Sequence, residues 1–316
     1  MTTAFIFPGQ GSQAVGMGAE LLANFAAARE VLQEVDDALG VKLSAIIAAG
    51  PEADLTLTEN AQPAIMAMSL AVFRVMQQQM GVALPGAASC VAGHSLGEYS
   101  ALTAAGALTI TECAKLLQIR GRAMQAAVPA GKGGMVAVIG PDFAQVEKIV
   151  AEARARAAGE VIEIANHNST NQIVLSGSSR GMDVAIEVAK EMGAKRALPL
   201  SVSAPFHCSL MAPAAQAMAT ALQACDMRAP AVPLVANVTA AYVSDVATIK
   251  SLLVSQVTGT VRWVDSIVAM QAAGVTRMVE IGHGNVLTGL IKRIAPDMAL
   301  ANIATPADMD SFAKIA

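Results

Sequence analysis

Cys90-Val91-Ala92-Gly93-His94-Ser95-Leu96-Gly97-Glu98 is the stretch whose reading decides the fold of this chain. Cys90-Val91-Ala92 is an apolar run of strand type, and Glu98 to Ala105 suits a helix. Between them, Gly93-His94-Ser95-Leu96-Gly97 has the pattern G-x-S-x-G. Strand, sharp glycine turn and helix make a nucleophile elbow, in which the glycines let the backbone crowd and the serine projects alone at the strand tip. The next N–H, from Leu96, is then free to donate to an oxyanion near the helix N-terminus. Chance matches to the pentapeptide are common, and an ordinary strand-to-helix turn would carry it too. The flanking elements favour the nucleophile.

Strand-then-helix units recur on both sides. Ala4-Phe5-Ile6-Phe7 reads as a first strand running into Pro8-Gly9-Gln10-Gly11. Leu21, Leu22, Phe25, Leu32, Val35 and Leu39 then follow helical spacing. Pro63 is expected to open another helix, near Ile65, Val72 and Met76. Thr109 and Glu112 form a capping box for a helix reaching about Val128. This alternation implies a mostly parallel sheet covered on both faces.

The pattern breaks at Pro129-Ala130-Gly131-Lys132-Gly133-Gly134, a hinge-like stretch. Beyond it we read strand (Met135 to Ile139), helix (Phe143 to Ala158), strand (Val161 to Ala165), strand (Gln172 to Ser176), helix (Met182 to Met192) and strand (Ala194 to Pro199). That βαββαβ order is the ferredoxin-like plan. The expected division is a catalytic α/β domain from residues 1–130 and 200–316, with an inserted subdomain at 131–199. Met278-Val279-Glu280-Ile281 reads as the last clear strand, and the segment after Ala304 is expected to fray.

Composition narrows the function. With 316 residues, 54% of them hydrophobic, the chain can bury a large core. A net charge of −4 gives no electrostatic case for nucleic acid. Mean hydropathy of +0.51 raises the question of a membrane. Ala197 to Cys225 carries no Asp, Glu, Lys or Arg, but Pro199, Pro205, His207, Pro213 and Gln216 interrupt it, so it lacks the run of about 18 apolar residues a span requires. No membrane segment is expected. No basic region and apolar stretch of secretory type stands in the first residues, so no leader is expected. Cys90, Cys113, Cys208 and Cys225 form no C-x-x-C pair, so neither zinc nor a disulfide framework is suggested. The expected location is cytoplasmic.

A serine nucleophile needs a base, and the chain has four histidines. His94 adjoins Ser95, but neighbours on a tight turn point apart, which suits a supporting group. His167 lies between two subdomain strands, and His283 in a late strand-to-helix turn. His207 follows Pro205-Phe206 in a loop leaving a strand, where α/β folds place function. It is the favoured base. An orienting acid is harder to find, because Asp226, Asp245 and Asp265 occupy no recognisable strand-end turn. A dyad whose histidine is held by a backbone carbonyl stays open.

Arg120 is the most informative charge. It falls on the apolar stripe Cys113, Leu116, Leu117, Arg120, Met124 and Val128, where an unpaired guanidinium would be costly. Its partner is either an internal Asp or Glu or a substrate carboxylate, gripped in the two-pronged geometry arginine supplies. Gly9-Gln10-Gly11-Ser12-Gln13 lacks the residues of a phosphate loop and is better suited to donate a second oxyanion N–H beside Ser95. Phe206, beside the base, is expected to crowd an α-branched acyl group.

Taken together, Phe7-Pro8-Gly9-Gln10-Gly11-Ser12-Gln13, Gly93-His94-Ser95-Leu96-Gly97-Glu98, Arg120-Gly121 with Met124-Gln125, Phe206-His207 with Met211, and Glu280-Ile281-Gly282 before Val286-Leu287 occur in order. The chain resembles the malonyl-CoA:acyl-carrier-protein transacylases over about residues 4 to 303. That resemblance implies a large α/β-hydrolase-like domain with a ferredoxin-like insertion. It implies Ser95 as acylated nucleophile, His207 as base, Arg120 on the malonyl carboxylate, and the N–H groups of Gln10 and Leu96 as oxyanion hole. It also implies the main-chain carbonyl of Gln256 as the group orienting the histidine, Asn166 at the domain interface and Met124 in the pocket wall. The implied partners are malonyl-CoA and the phosphopantetheine arm of holo acyl carrier protein, with no metal or redox cofactor. Two positions depart from the family pattern. His283 and Asn285 stand where relatives usually read Gly-Pro-Gly-Lys, and His167 replaces a variable residue between two asparagines. Rival readings keep the chemistry with another carrier (malonate decarboxylase or polyketide synthesis), make the chain a serine esterase or thioesterase, or make it a non-catalytic carrier-docking module.

Overall fold

The computed structural model describes residues 2–313. Two sheets organise the chain. The first has the order β10-β9-β1-β2-β7-β8, from β1 (Thr3–Phe7), β2 (Cys90–Gly93), β7 (Leu234–Val235), β8 (Tyr242–Val243), β9 (Arg277–Ile281) and β10 (Ala299–Ile303). All its pairings are parallel except β7 with β8. The second is antiparallel, with the order β4-β5-β3-β6, from β3 (Gly133–Ile139), β4 (Ile162–Ser169), β5 (Gln172–Ser178) and β6 (Arg196–Pro199). Helices Phe143–Arg156 and Ser179–Glu191 complete the expected βαββαβ plan.

Burial on both faces explains the near-continuous apolar run of β1. Phe5 and Phe7 face the layer of helices Thr58–Met80 and Ile110–Ala127, and Phe5 meets Phe73 edge-on at 6.1 Å. Ala4 and Ile6 face the opposite layer, with Trp263, Ile267 and Ile291. In the antiparallel sheet Val136, Val138, Ile173 and Leu175 pack under the subdomain's own helices. The alternate residues Met135, Ala137 and Val174 face the other way and line the cavity that also holds Ser95 and His207.

Several boundaries differ from expectation. The helix expected to open at Pro63 begins at Thr58 and carries Pro63 inside it. Its first turn is held by packing, because Gly121 brings the neighbouring helix against the backbone of Thr58 and Glu59, where a Cβ would lie 2.6 Å from Glu59 Cα. The single helix expected after β1 is two, Ala19–Asn24 and Ala26–Leu39, broken at Phe25, which is extended at φ −125°. β9 is not the last strand. β10 follows it as a half-exposed edge strand whose mixed pattern gives little signal. The segment after Ala304 forms helix Pro306–Ala313, because the Asp308 carboxylate accepts from Thr305 N–H and Oγ1, and Met309 and Phe312 are buried. Among the described residues no helix is long and apolar enough to cross a membrane.

Candidate active site

Ser95 stands at the tip of β2, where the chain turns into helix Gly97–Ala104. The turn is sterically possible only with glycines. A Cβ on Gly93 would lie 1.9 Å from Gly97 C, and one on Gly97 would lie 2.3 Å from Phe7 O. Gly9 serves the same end: a Cβ there would meet His94 O at 2.6 Å, so its absence lets the Pro8–Gly11 loop lie against the elbow. Ser95 and His207 are two of three non-glycine residues with positive φ among the described residues, at 53° and 59°. Outside glycine such backbone costs roughly 1–3 kcal/mol and persists where surroundings over-determine it, typically at functional sites.

Those two strained residues face each other. Ser95 Oγ lies 2.7 Å from His207 Nε2, and His207 Nδ1 lies 2.8 Å from the Gln256 carbonyl oxygen. A carbonyl only accepts, so Nδ1 carries the proton and Nε2 is left to accept from the serine hydroxyl. Burial is the main cause that pushes the His207 pKa down to about 3, with the Arg120 charge second and the Gln256 bond opposing both. The imidazole is therefore neutral at pH 7, as a base must be. No carboxylate takes the usual third place. Asp245 caps helix Val246–Thr258, and Asp265 pairs with Arg262.

Arg120 is buried at 1% exposure, on the stripe read from the sequence. None of the ion pairs among the described residues includes it. Its guanidinium donates instead to three neutral acceptors: Gln62 Oε1 at 2.9 Å, Gln256 Oε1 at 2.8 Å and Ser95 Oγ at 3.1 Å. Its Nε–H is buried with no partner. A buried donor left unmade costs about 1–3 kcal/mol.

These groups open into one cavity of about 340 Å³, lined by Gln10, Ser95, Arg120, Met124, Asn166, Phe206 and His207 among others. That volume suits a small acyl group and the end of a longer arm. Among the described residues, the N–H groups of Leu96 and Gln10 have no acceptor within the protein. The antiparallel sheet roofs the cavity. Asn166 bridges to Val261 of the larger unit, and Asn168 Oδ1 meets His94 Nε2 at 2.8 Å. His94 also lies edge-on to Trp263, which leaves it a supporting group.

Every sequence-predicted site residue thus meets at one place, Gln256 through both its carbonyl and its amide. Sequence reading missed three neighbours. Asn237 Oδ1 accepts the Ser95 N–H at 2.8 Å, while its amide donates to Gly93 O at 2.7 Å. Gln62 flanks Arg120. Glu98, inside the elbow motif, is fully buried beneath it. His167 packs on Phe143 at 4.6 Å. Glu280, just before the Gly282–Asn285 turn, caps helix Val286–Ile294 by accepting from the N–H groups of Leu287 and Thr288. Among the described residues no cluster of three or more His, Cys, Asp or Glu is placed to hold a metal ion.

The family model described as the acyl transferase domain matches residues 4–307. The chain belongs to the acyl transferase domain family. Within that family it is 43% identical over 303 residues to the malonyl CoA-acyl carrier protein transacylase of Bacillus subtilis, covering 96% of this chain and 93% of the relative. The transacylase of Escherichia coli K12 is also 43% identical, with 97% of each chain covered. Among solved structures, an acyl-carrier-protein S-malonyltransferase from Bartonella henselae superposes with a TM-score of 0.96 at 51% identity, covering 100% of this chain and 99% of that one. A malonyl-transacylase solved in complex with a type II polyketide acyl-carrier protein superposes with a TM-score of 0.96 at 38% identity, with 100% of each chain covered. The resemblance drawn from the motifs and the two-sheet fold are both borne out.

Proposed function

We propose that this chain transfers a malonyl group from malonyl-CoA to the phosphopantetheine thiol of an acyl carrier protein, through a malonyl ester on Ser95. The observation that carries the reading is Arg120, a buried guanidinium with a free N–H, held 3.1 Å from the nucleophile. A hydrolase of simple esters has no use for such a cation, and a docking module has none for the strained Ser95–His207 pair. The full-length relatives named as malonyl transacylases support the same substrate.

In the first half-reaction neutral His207 takes the Ser95 proton at Nε2 while Oγ attacks the thioester carbonyl. The carbonyl oxygen gains charge against the N–H groups of Leu96 and Gln10. The C–S bond breaks, and imidazolium returns its proton to the departing CoA sulfur. Arg120 holds the acyl carboxylate of the ester. In the second half-reaction His207 takes the carrier thiol's proton, sulfur attacks the ester carbonyl, the bond from the acyl carbon to Ser95 Oγ breaks, and the proton passes back to Oγ. Met124 and Phe206 wall the pocket, and Asn166 and Asn168 close it from the subdomain. The neutral Gln256 carbonyl in place of an acid fits the low histidine pKa, since no anion stabilises the imidazolium.

The work belongs in the cytoplasm, and four free cysteines suit a reducing compartment. A polyketide carrier is the second reading, favoured by the solved complex at 38% identity. Supplying purified holo carrier proteins with malonyl-CoA tests the proposal. Malonyl-carrier should form much faster than free malonate, and release of malonate at an equal or greater rate would make the chain a thioesterase.

A further inference from the structure

Beneath the elbow lies a buried carboxylate that the reaction above does not use. Glu98 is 1% exposed, and each of its oxygens accepts from a fixed donor: Oε1 from the Asn237 backbone N–H at 2.5 Å, Oε2 from the Gln256 amide. The polarity of this network admits one arrangement. Arg120 only donates, so the Gln256 amide must turn its oxygen toward Arg120. Its nitrogen then faces Ser95 O at 2.8 Å, which only accepts, and Glu98. Asn237 is fixed likewise between Gly93 O and the Ser95 N–H. Glu98 is the group whose two acceptors close both branches, and it sits one amide away from the Arg120 cation. Burial raises its pKa to about 8, with the bonds from Asn237 and Gln256 and the Arg120 charge opposing that rise. Both oxygens face N–H donors, so the ionised form is the one this geometry accommodates, since a carboxylic O–H would point at a donor.

We propose that Glu98 is a positioning residue: through the Gln256 amide it orients the Arg120 guanidinium, and so sets the preference for acyl groups that carry a carboxylate. The inference rests on Arg120 as the carboxylate grip. Glu98 touches no substrate. The Gln256 carbonyl that holds His207 belongs to helix Val246–Thr258 and does not depend on the Gln256 side chain, so proton transfer and carboxylate binding are separable.

The isosteric change Glu98→Gln separates them. Its new NH2 must face either the Asn237 N–H or the Gln256 NH2, and the backbone donor cannot turn away. Gln256 is then displaced and Arg120 loses an acceptor. Glu98→Asp keeps both acceptors on a shorter arm. The measurement is kcat and KM for malonyl-CoA and acetyl-CoA in wild type, Glu98→Gln, Glu98→Asp and Arg120→Ala, with folding followed by circular dichroism. In Glu98→Gln the malonyl-to-acetyl ratio of kcat/KM should fall about 10- to 100-fold, the scale of a small misplacement, mostly through malonyl KM. Glu98→Asp should keep more of the ratio. Equal loss on both thioesters in Glu98→Gln, or failure of both Glu98 variants to fold, would reduce Glu98 to a structural role and overturn the inference. If Arg120→Ala collapses the ratio and Glu98→Gln does not, only the role of Glu98 fails. If Arg120→Ala leaves the ratio intact, the carboxylate grip fails with it.

Discussion

Replacing Arg120 by alanine should push two substrates in opposite directions. With malonyl bound, the guanidinium can make two parallel charge-assisted hydrogen bonds to the carboxylate, each worth roughly 1.5–3 kcal/mol. Their loss amounts to about 3–6 kcal/mol, or roughly 10²- to 10⁴-fold in kcat/KM for malonyl-CoA. Acetyl-CoA brings no anion, so in the wild type it leaves the buried guanidinium without a charged partner, and removing the side chain removes that penalty. Loss of the 3.1 Å contact to Ser95 Oγ, and release of Gln62 and Gln256, weigh on both substrates alike. Acetyl transfer should therefore hold steady or rise while malonyl transfer collapses. Arg120→Lys should restore little, because an ammonium cannot reproduce the fork or satisfy both glutamines. The assay is kcat/KM for both thioesters with a saturating carrier protein, and circular dichroism to check the fold. A proportional loss on both substrates would leave Arg120 a structural cation with no part in acyl selection.

Other expectations follow from the same geometry. His207→Ala should fold yet lose roughly 10²- to 10⁴-fold in acylation rate, measured by stopped-flow release of CoA. Since His207 titrates near 3 in the fold against an ordinary 6.5, the unfolded chain binds more protons between those values, and stability is lost as pH falls through that window. Urea titrations at pH 6.5 and 5.5 should show wild type losing about 1 kcal/mol more than His207→Asn, and an equal loss would place the histidine pKa near its ordinary value. Phe206, buried in the cavity wall, should favour malonyl over methylmalonyl by about 10- to 200-fold, a gap that Phe206→Ser should narrow.

The parts of this molecule legible in the sequence are those written in local periodicity or in motifs. The elbow glycines, the Thr109–Glu112 capping box and the Arg120 stripe each encode their structure within one turn or one helix face. The polar partners of the site are different in kind. Ser95 and Asn237 are 142 residues apart, and Gln62 and Arg120 are 58 apart, so no spacing rule links them. Glu98 sits in the motif itself, yet its role depends on where Gln256 lands, 158 residues away. The start of the helix at Thr58 was hidden for a similar reason, because packing against Gly121, rather than a cap or proline at the first position, sets it.

A malonyl ester on Ser95 can be sought without any carrier protein. The protein is incubated with malonyl-CoA alone, quenched in acid, weighed intact and then digested to locate the modified peptide. A single malonyl-sized mass increase is expected on the peptide that holds Gly93-His94-Ser95-Leu96-Gly97, absent in Ser95→Ala. A malonyl adduct persisting in Ser95→Ala, or mapped to any other residue, would contradict the assignment of Ser95.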